Sequence, residues 1–163
     1  MTAKDFQILM LLEENAQLTH GEIGLTMGME AEAVAARIKA LEESGVLRGT
    51  TTIIEWDKIG NGRITAIIEL KVSPERDYGY DRIAERISRF KEVRSLKLVT
   101  GVYDLQILVT GRSMQEISRF VAERIAPMDR IRETATHLIM KTYKEGGCIF
   151  SAHEEHERIP FSL

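Results

Sequence analysis

Apolar positions change their spacing twice along the chain, and the change separates two kinds of structure. In the run FQILMLL after Asp5, Phe6, Leu9 and Leu12 fall at helical spacing, and Asn15 offers a stop. Thr19-His20-Gly21-Glu22 has the form of a capping box: the threonine hydroxyl accepts from the third amide, and the glutamate reaches back to the cap amide. A short helix to about Met27 follows, ended by Gly28 in the left-handed conformation. A third helix is expected from about Ala31 to Ser44, with Val34, Ile38 and Leu41 on its buried face and Gly45 closing it. The β-branched stretch Val46–Trp56 reads as extended. Three short helices, a tight turn and a strand make the plan of a winged helix-turn-helix. The spacing fits a small helical dimerisation subdomain equally well.

Beyond residue 62 the period shortens. Arg63–Val72 is β-rich and ends at Ser73-Pro74. Tyr80–Phe90 carries Ile83, Ile87 and Phe90 at i, i+4 and i+7, an amphipathic helix. Val93–Thr100 and Leu105–Val109 read as strands joined by the turn Gly101-Val102-Tyr103-Asp104. Ser113 caps a second helix bearing Met114, Ile117, Phe120 and Ile125, broken at Pro127, and Ile131–Tyr143 reads as a last strand. The order βαββαβ is the ferredoxin-like plait, so the fold class is α+β. Helices cover one face of such a sheet. Strands as apolar as ITAIIEL and TATHLIM predict a partner on the other, hence a homo-oligomer.

Composition excludes several classes. The 163 residues are 44% hydrophobic and 29% charged, ordinary for a globular protein and unlike collagen, disordered or disulfide-framework chains. The single cysteine, Cys148, has no internal partner, so a reducing compartment, the cytoplasm, is expected. Apolar runs are far too short to span a membrane, and the N-terminus lacks the layout of a secretory signal. The net charge of −3 hides an asymmetry. Residues 1–61 carry five Lys+Arg against ten Asp+Glu; residues 62–145 carry sixteen against twelve. The expected organisation is a helix-turn-helix domain at 1–50, a linker strand at 51–61, the plait at 62–145 and a charged tail at 146–163.

Particular residues carry a family likeness. Arg37-Ile38-Lys39-Ala40-Leu41-Glu42-Glu43-Ser44-Gly45-Val46-Leu47 resembles the signature that closes the recognition helix of the Lrp/AsnC (feast/famine) regulators. Val99-Thr100-Gly101-Val102-Tyr103-Asp104-Leu105 resembles their effector-domain turn, and Thr134-Ala135-Thr136 a feature of their last strand. The resemblance covers about residues 4–145. It implies a one-component transcriptional regulator with a RAM-type effector domain, a homodimer or octamer that binds double-stranded DNA and an amino acid or related small metabolite. On the recognition helix it points to Arg37, Lys39, Glu32 and Ala36. For the effector it points to Gly101, Tyr103, Asp104, Met114, Thr134, Thr136 and His137. An ammonium group would pair with Asp104, and a carboxylate would take hydroxyl and amide donors. Read as residues alone, Gly101 and Asp104 fit a plain hairpin turn and the threonines a solvent face; Met114 fits a core position and His137 a packed strand residue.

The recognition helix departs from the family pattern. Glu30 and Glu32 stand at its start, where negative charge suits the helix dipole but repels phosphate. Ala35 and Ala36 cannot hydrogen-bond a base edge. Weak DNA contacts shared across subunits are therefore expected. A ligand-sensing oligomer with degenerate DNA binding is the alternative. A siroheme-decarboxylase-like enzyme shares the layout, but no catalytic residues, metal ligands or cofactor site stand out. His153-Glu154-Glu155-His156 is one residue short of a zinc-protease motif, and Gly60-Asn61-Gly62 is a junction rather than a dinucleotide fingerprint.

Overall fold

Two capping boxes start the helical unit. A computed structural model describes residues 1–60 and 62–150. It divides them into one compact unit of Met1–Thr52 and a second beginning at Ile53, two residues beyond the expected boundary. Helix α1 (Ala3–Glu14) begins at Thr2, whose hydroxyl accepts from the Asp5 amide at 3.3 Å while Asp5 Oδ2 accepts from the Thr2 amide at 2.6 Å. Helix α2 (His20–Met27) begins at Thr19 with the same reciprocal pair to Glu22, at 3.2 and 2.7 Å. Gly28, at φ 62°, ends α2 as expected. Helix α3 (Ala31–Glu43) follows and is closed by Gly45 at φ 72°. Ile8, Ile23, Val34 and Leu41 form the buried centre, with Leu12, Leu18 and Ile38 around it.

The tight turn depends on a glycine inside α2. A Cβ built on Gly24 would stand 2.5 Å from the Met29 carbonyl oxygen, so no side chain fits where α2 meets the turn into α3. The Met29 amide donates to the Gly24 carbonyl at 2.9 Å, which places the two backbones in contact.

The wing is corrected. No strand forms between residues 46 and 56; the segment has no partner strand and ends in a 3-10 turn at Trp56–Lys58. β-branched composition marks a residue that suits a pleated surface, but a ladder needs a second backbone.

The second unit is the plait, with strands β1 (Ile64–Val72), β2 (Val93–Leu98), β3 (Leu105–Gly111) and β4 (Ile131–Leu138). They lie in the order β2-β3-β1-β4, every pair antiparallel. Alternation fixes the faces. Ala66, Ile68, Leu70 and Val72 of β1 and Leu105, Ile107 and Val109 of β3 are buried. They pack under Ile83 and Ile87 of helix α4 (Asp81–Ser88), and under Ile117 and Phe120 of helix α5 (Met114–Phe120). Helix α5 continues as a π-turn, Val121–Ile125, before Pro127. Thr65, Ile67 and Glu69 on the opposite face of β1 are only half-buried, as are Gln106 and Leu108 of β3.

The last strand stops earlier than expected. Beyond the pairing of Leu138 with Ala66, Ile139 donates to the Thr65 carbonyl, and β1 itself begins at Ile64, so β4 has little backbone left to pair with. Instead, β5 (Lys144–Glu145) and β6 (Cys148–Ile149) form a small hairpin across Gly146-Gly147, both glycines at positive φ. Part of the expected tail is thus a hairpin, and Cys148 lies exposed on it. His153, His156 and Asn61 lie outside the described residues.

Candidate DNA-facing helix and effector turn

The outer face of α3 is set by which positions its core claims. Val34 and Leu41 point inward; Glu32, Ala33, Ala36, Lys39, Ala40 and Glu43 are exposed. Of the two basic residues on the helix, Arg37 turns toward α1. Its Nη1 donates to Asp5 Oδ1 at 2.6 Å and to the Thr2 hydroxyl at 3.2 Å. The Thr2 amide, joined by the Arg37 guanidinium, holds the Asp5 carboxyl down at about 2. Arg37 thereby ties the start of α1 to the middle of α3. Lys39 is left as the cation on the outer face, 3.8 Å from Glu43 one turn along. Glu32 and Ala36 share that face, and the exposed surface of α3 carries one cation among Glu32, Glu42 and Glu43.

In the plait, the turn between β2 and β3 is held from behind. Gly101 is exposed at φ 134°, in the region that favours glycine, and Val102 beside it is 75% exposed. Asp104 is half-buried and braced. Its amide donates to the Leu70 carbonyl at 2.9 Å, and its carbonyl accepts from the Val99 amide. β1 runs two residues past its last partner on β3, the Leu70–Leu105 pair. The Asp104 carboxylate supplies the missing acceptor: Oδ2 takes the Val72 amide at 2.8 Å, while Oδ1 takes the Tyr80 hydroxyl at 3.0 Å. The bond to Asp104, and then burial, raises the Tyr80 phenol above its usual value. Tyr80 and the Val72 amide were not visible in the sequence as partners of this turn. The bonds join residues 24 and 32 positions apart.

The remaining effector positions separate by register. Thr134 pairs with Leu70 and Thr136 with Ile68, so both threonines lie on the face that carries the helices. Thr134 is in line with Leu105 across β1, roughly 10 Å from it at the usual strand spacing. His137 pairs with Ile67 on the opposite face, where Nε2 lies 3.1 Å from Glu69 Oε2. Met114 opens α5 beyond the far end of β3, some 20 Å along the strand from the turn. Within one chain, then, Tyr103, Asp104 and Thr134 share an end of the sheet; Met114 and His137 do not join them. Among the described residues no group of three His, Cys, Asp or Glu side chains is placed to hold a metal, and no helix is long and apolar enough to cross a membrane.

A three-helix reader joined to a plait with a braced, exposed turn defines a class of regulator: a DNA-binding module followed by a ligand-binding one. Comparison with known proteins gives the same division. The AsnC-type helix-turn-helix domain matches residues 1–42, and the Lrp/AsnC ligand binding domain matches residues 65–149. The HTH-type transcriptional regulator YugG of Bacillus subtilis is 37% identical over 99% of this chain and 98% of its own. The chain belongs to the Lrp/AsnC family of transcriptional regulators, and its matched modules are regulatory rather than catalytic. The fold is shared with the leucine response regulatory protein LrpA of Mycobacterium tuberculosis, with a TM-score of 0.73 and 22% identity over 90% of this chain and 97% of that one. It is also shared with a transcriptional regulator of Neisseria meningitidis solved as a complex with L-Met, with a TM-score of 0.66 and 22% identity over 89% and 93%.

Proposed function

We propose that this regulator senses an amino acid or a closely related metabolite at the Gly101–Asp104 end of its sheet and acts on DNA as an oligomer. The observation that carries the sensing is the turn itself. Gly101 leaves backbone open to a ligand while Asp104 fixes the turn to β1 and α4, so the turn is preorganised rather than a loose loop. The L-Met complex of the Neisseria relative supports the ligand class. Asp104 retains acceptor capacity beyond its two internal bonds, enough for a ligand ammonium. The half-buried apolar positions Ile67 and Leu108 on the open sheet face support pairing with a second copy.

DNA contacts per subunit are few on this reading. One outward cation among three carboxylates on α3 gives little counter-ion release, so affinity arises from several subunits acting together. The experiment is a thermal-shift screen of the twenty amino acids on the wild type and on Tyr103→Ala, with gel shifts on upstream DNA at low salt. A sensed amino acid at a hundredfold its Kd stabilises the wild type by about 2.7 kcal/mol and the variant far less. No stabilising amino acid removes the sensing proposal. A ligand response without any gel shift favours the oligomer with degenerate DNA binding, the reading that the acidic face of α3 supports.

A further inference from the structure

The end of the sheet opposite the effector turn holds a cleft of about 450 Å³ that the regulator's assigned activities do not use. Trp56, Arg63, Lys91, Glu92, Arg112 and Glu116 line it, with Thr110 and Gly111 between them. The two ends are the two ends of one hairpin. Gly101–Asp104 joins β2 to β3, whereas Lys91 and Glu92 precede β2 and Thr110 and Gly111 finish β3. Seven residues of β3 separate them by roughly 20 Å.

Three observations give this cleft a chemistry. The Arg63 guanidinium lies over one face of the Trp56 ring, 4.3 Å from its centroid, and the two form a flat stacked pair. Arg112 is held in position through its backbone, its amide donating to Glu116 Oε2 at 2.7 Å. Neither the side chain of Arg112 nor that of Lys91 forms an ion pair among the described residues, although the carboxylates of Glu92 and Glu116 line the same cleft. Three cations against two carboxylates, a hydroxyl at Thr110 and a stacked Trp56–Arg63 pair in one concavity are the parts of a site for an anion attached to a flat ring.

We propose that the cleft binds a small organic anion bearing a planar ring, with its carboxylate or phosphate on Lys91 and Arg112 and its ring over Trp56 and Arg63. The shared chemistry fits an aromatic carboxylate and a mononucleotide alike. This site is independent of the effector turn, so the failure of either leaves the other standing.

Trp56 is the sole tryptophan of the chain, and its emission reports this cleft directly. The full-length protein is titrated with 5′-AMP, with nicotinate and with inorganic phosphate, exciting at a wavelength where none of them absorbs strongly. A saturable change with AMP or nicotinate is expected, and which of the two gives it identifies the source of the ring. Lys91→Ala or Arg112→Ala should weaken the binding roughly tenfold each. Both residues are exposed, so the variants should keep the wild-type circular dichroism and melting curve. Glu92→Gln, which removes negative charge from the rim, should leave the binding equal or tighter. The proposal is overturned by no saturable change up to 10 mM, by an equal response to all three anions (an adventitious ion only), or by a response that survives loss of both cations.

Discussion

Among the described residues the helical unit buries four apolar side chains at its centre, and the plait buries fourteen. The plait is held by area: seven alternate residues of two central strands meet two helices, and the apolar surface removed from water dominates its stability. The helical unit has a core near the lower limit for an independent domain. It is held as much by its ends: two capping boxes, a left-handed glycine, the Gly24 contact and the Arg37–Asp5 pair. The module that reads DNA is thus the more fragile of the two, and it turns one of its own basic residues inward to hold itself together.

The same substitution should therefore have different consequences in the two units. Ile8 and Ile107 are both fully buried. Replacing either with alanine costs about 2–5 kcal/mol through lost burial and the cavity left behind. In the plait that is a fraction of the total. In the helical unit it is comparable with all the stability there is. Ile8→Ala is expected to abolish the helical transition of a thermal melt at 222 nm while Trp56 emission, which lies in the second unit, keeps its wild-type midpoint. Ile107→Ala should lower the Trp56 midpoint and leave a folded protein. Equal losses from both variants would mean the units do not differ in margin.

Gly24→Ala is the next largest effect and tests whether the helical unit depends on its turn. The new methyl meets backbone at 2.5 Å, which cannot swing aside as a side-chain terminus would. A cost of about 1–3 kcal/mol is expected from the overpacking. Alanine is otherwise the better helix former at this position, by about 1 kcal/mol. A gain in melting temperature would therefore show that the α2–α3 turn relaxes freely.

What could be read from the sequence follows the same division between local and distant. Thr19 and Glu22, three residues apart, announce the second helix, and Gly28 announces its end, because each bond closes within one turn. The Thr2–Asp5 box obeys the same rule with aspartate in place of glutamate, and the signal was there to be read. Arg37 looked like a DNA contact because nothing within its own helix says that Asp5, 32 residues earlier, would take it. The missing wing and the early end of β4 share a cause. Val46–Trp56 and Ile139–Tyr143 have strand composition, but a strand's limits are set by the partner backbone. The effector turn was legible as a motif; its bracing by Tyr80 and the Val72 amide was not, and neither was the split of Thr134 and Thr136 from His137. A two-residue alternation places the neighbours Thr136 and His137 on opposite faces only once the strand is known to be a strand.

The smallest effect separates the units by pH. Asp5 lies near 2 in the folded helical unit, and Glu22 is also lowered, chiefly by the Thr19 amide. A carboxylate whose folded value is depressed contributes stability that is complete above its unfolded value, near 4, and is lost as the pH falls toward the folded one. The plait has the opposite flank. Tyr80 is raised by its bond to Asp104, so its contribution is complete below the unfolded value near 10 and disappears as the pH rises through the folded one. In fixed moderate urea, the 222 nm signal should be the one that weakens between about pH 4 and pH 2. Trp56 emission should be the one that responds above about pH 10. Asp5→Asn cannot titrate, so it should flatten much of the acid limb and leave the alkaline one in place. Tyr80→Phe should do the reverse. If Asp5→Asn leaves the acid limb as steep as in the wild type, the capping box and its arginine do not carry the acid sensitivity of the DNA-reading unit, and its fragility must come from its small core alone.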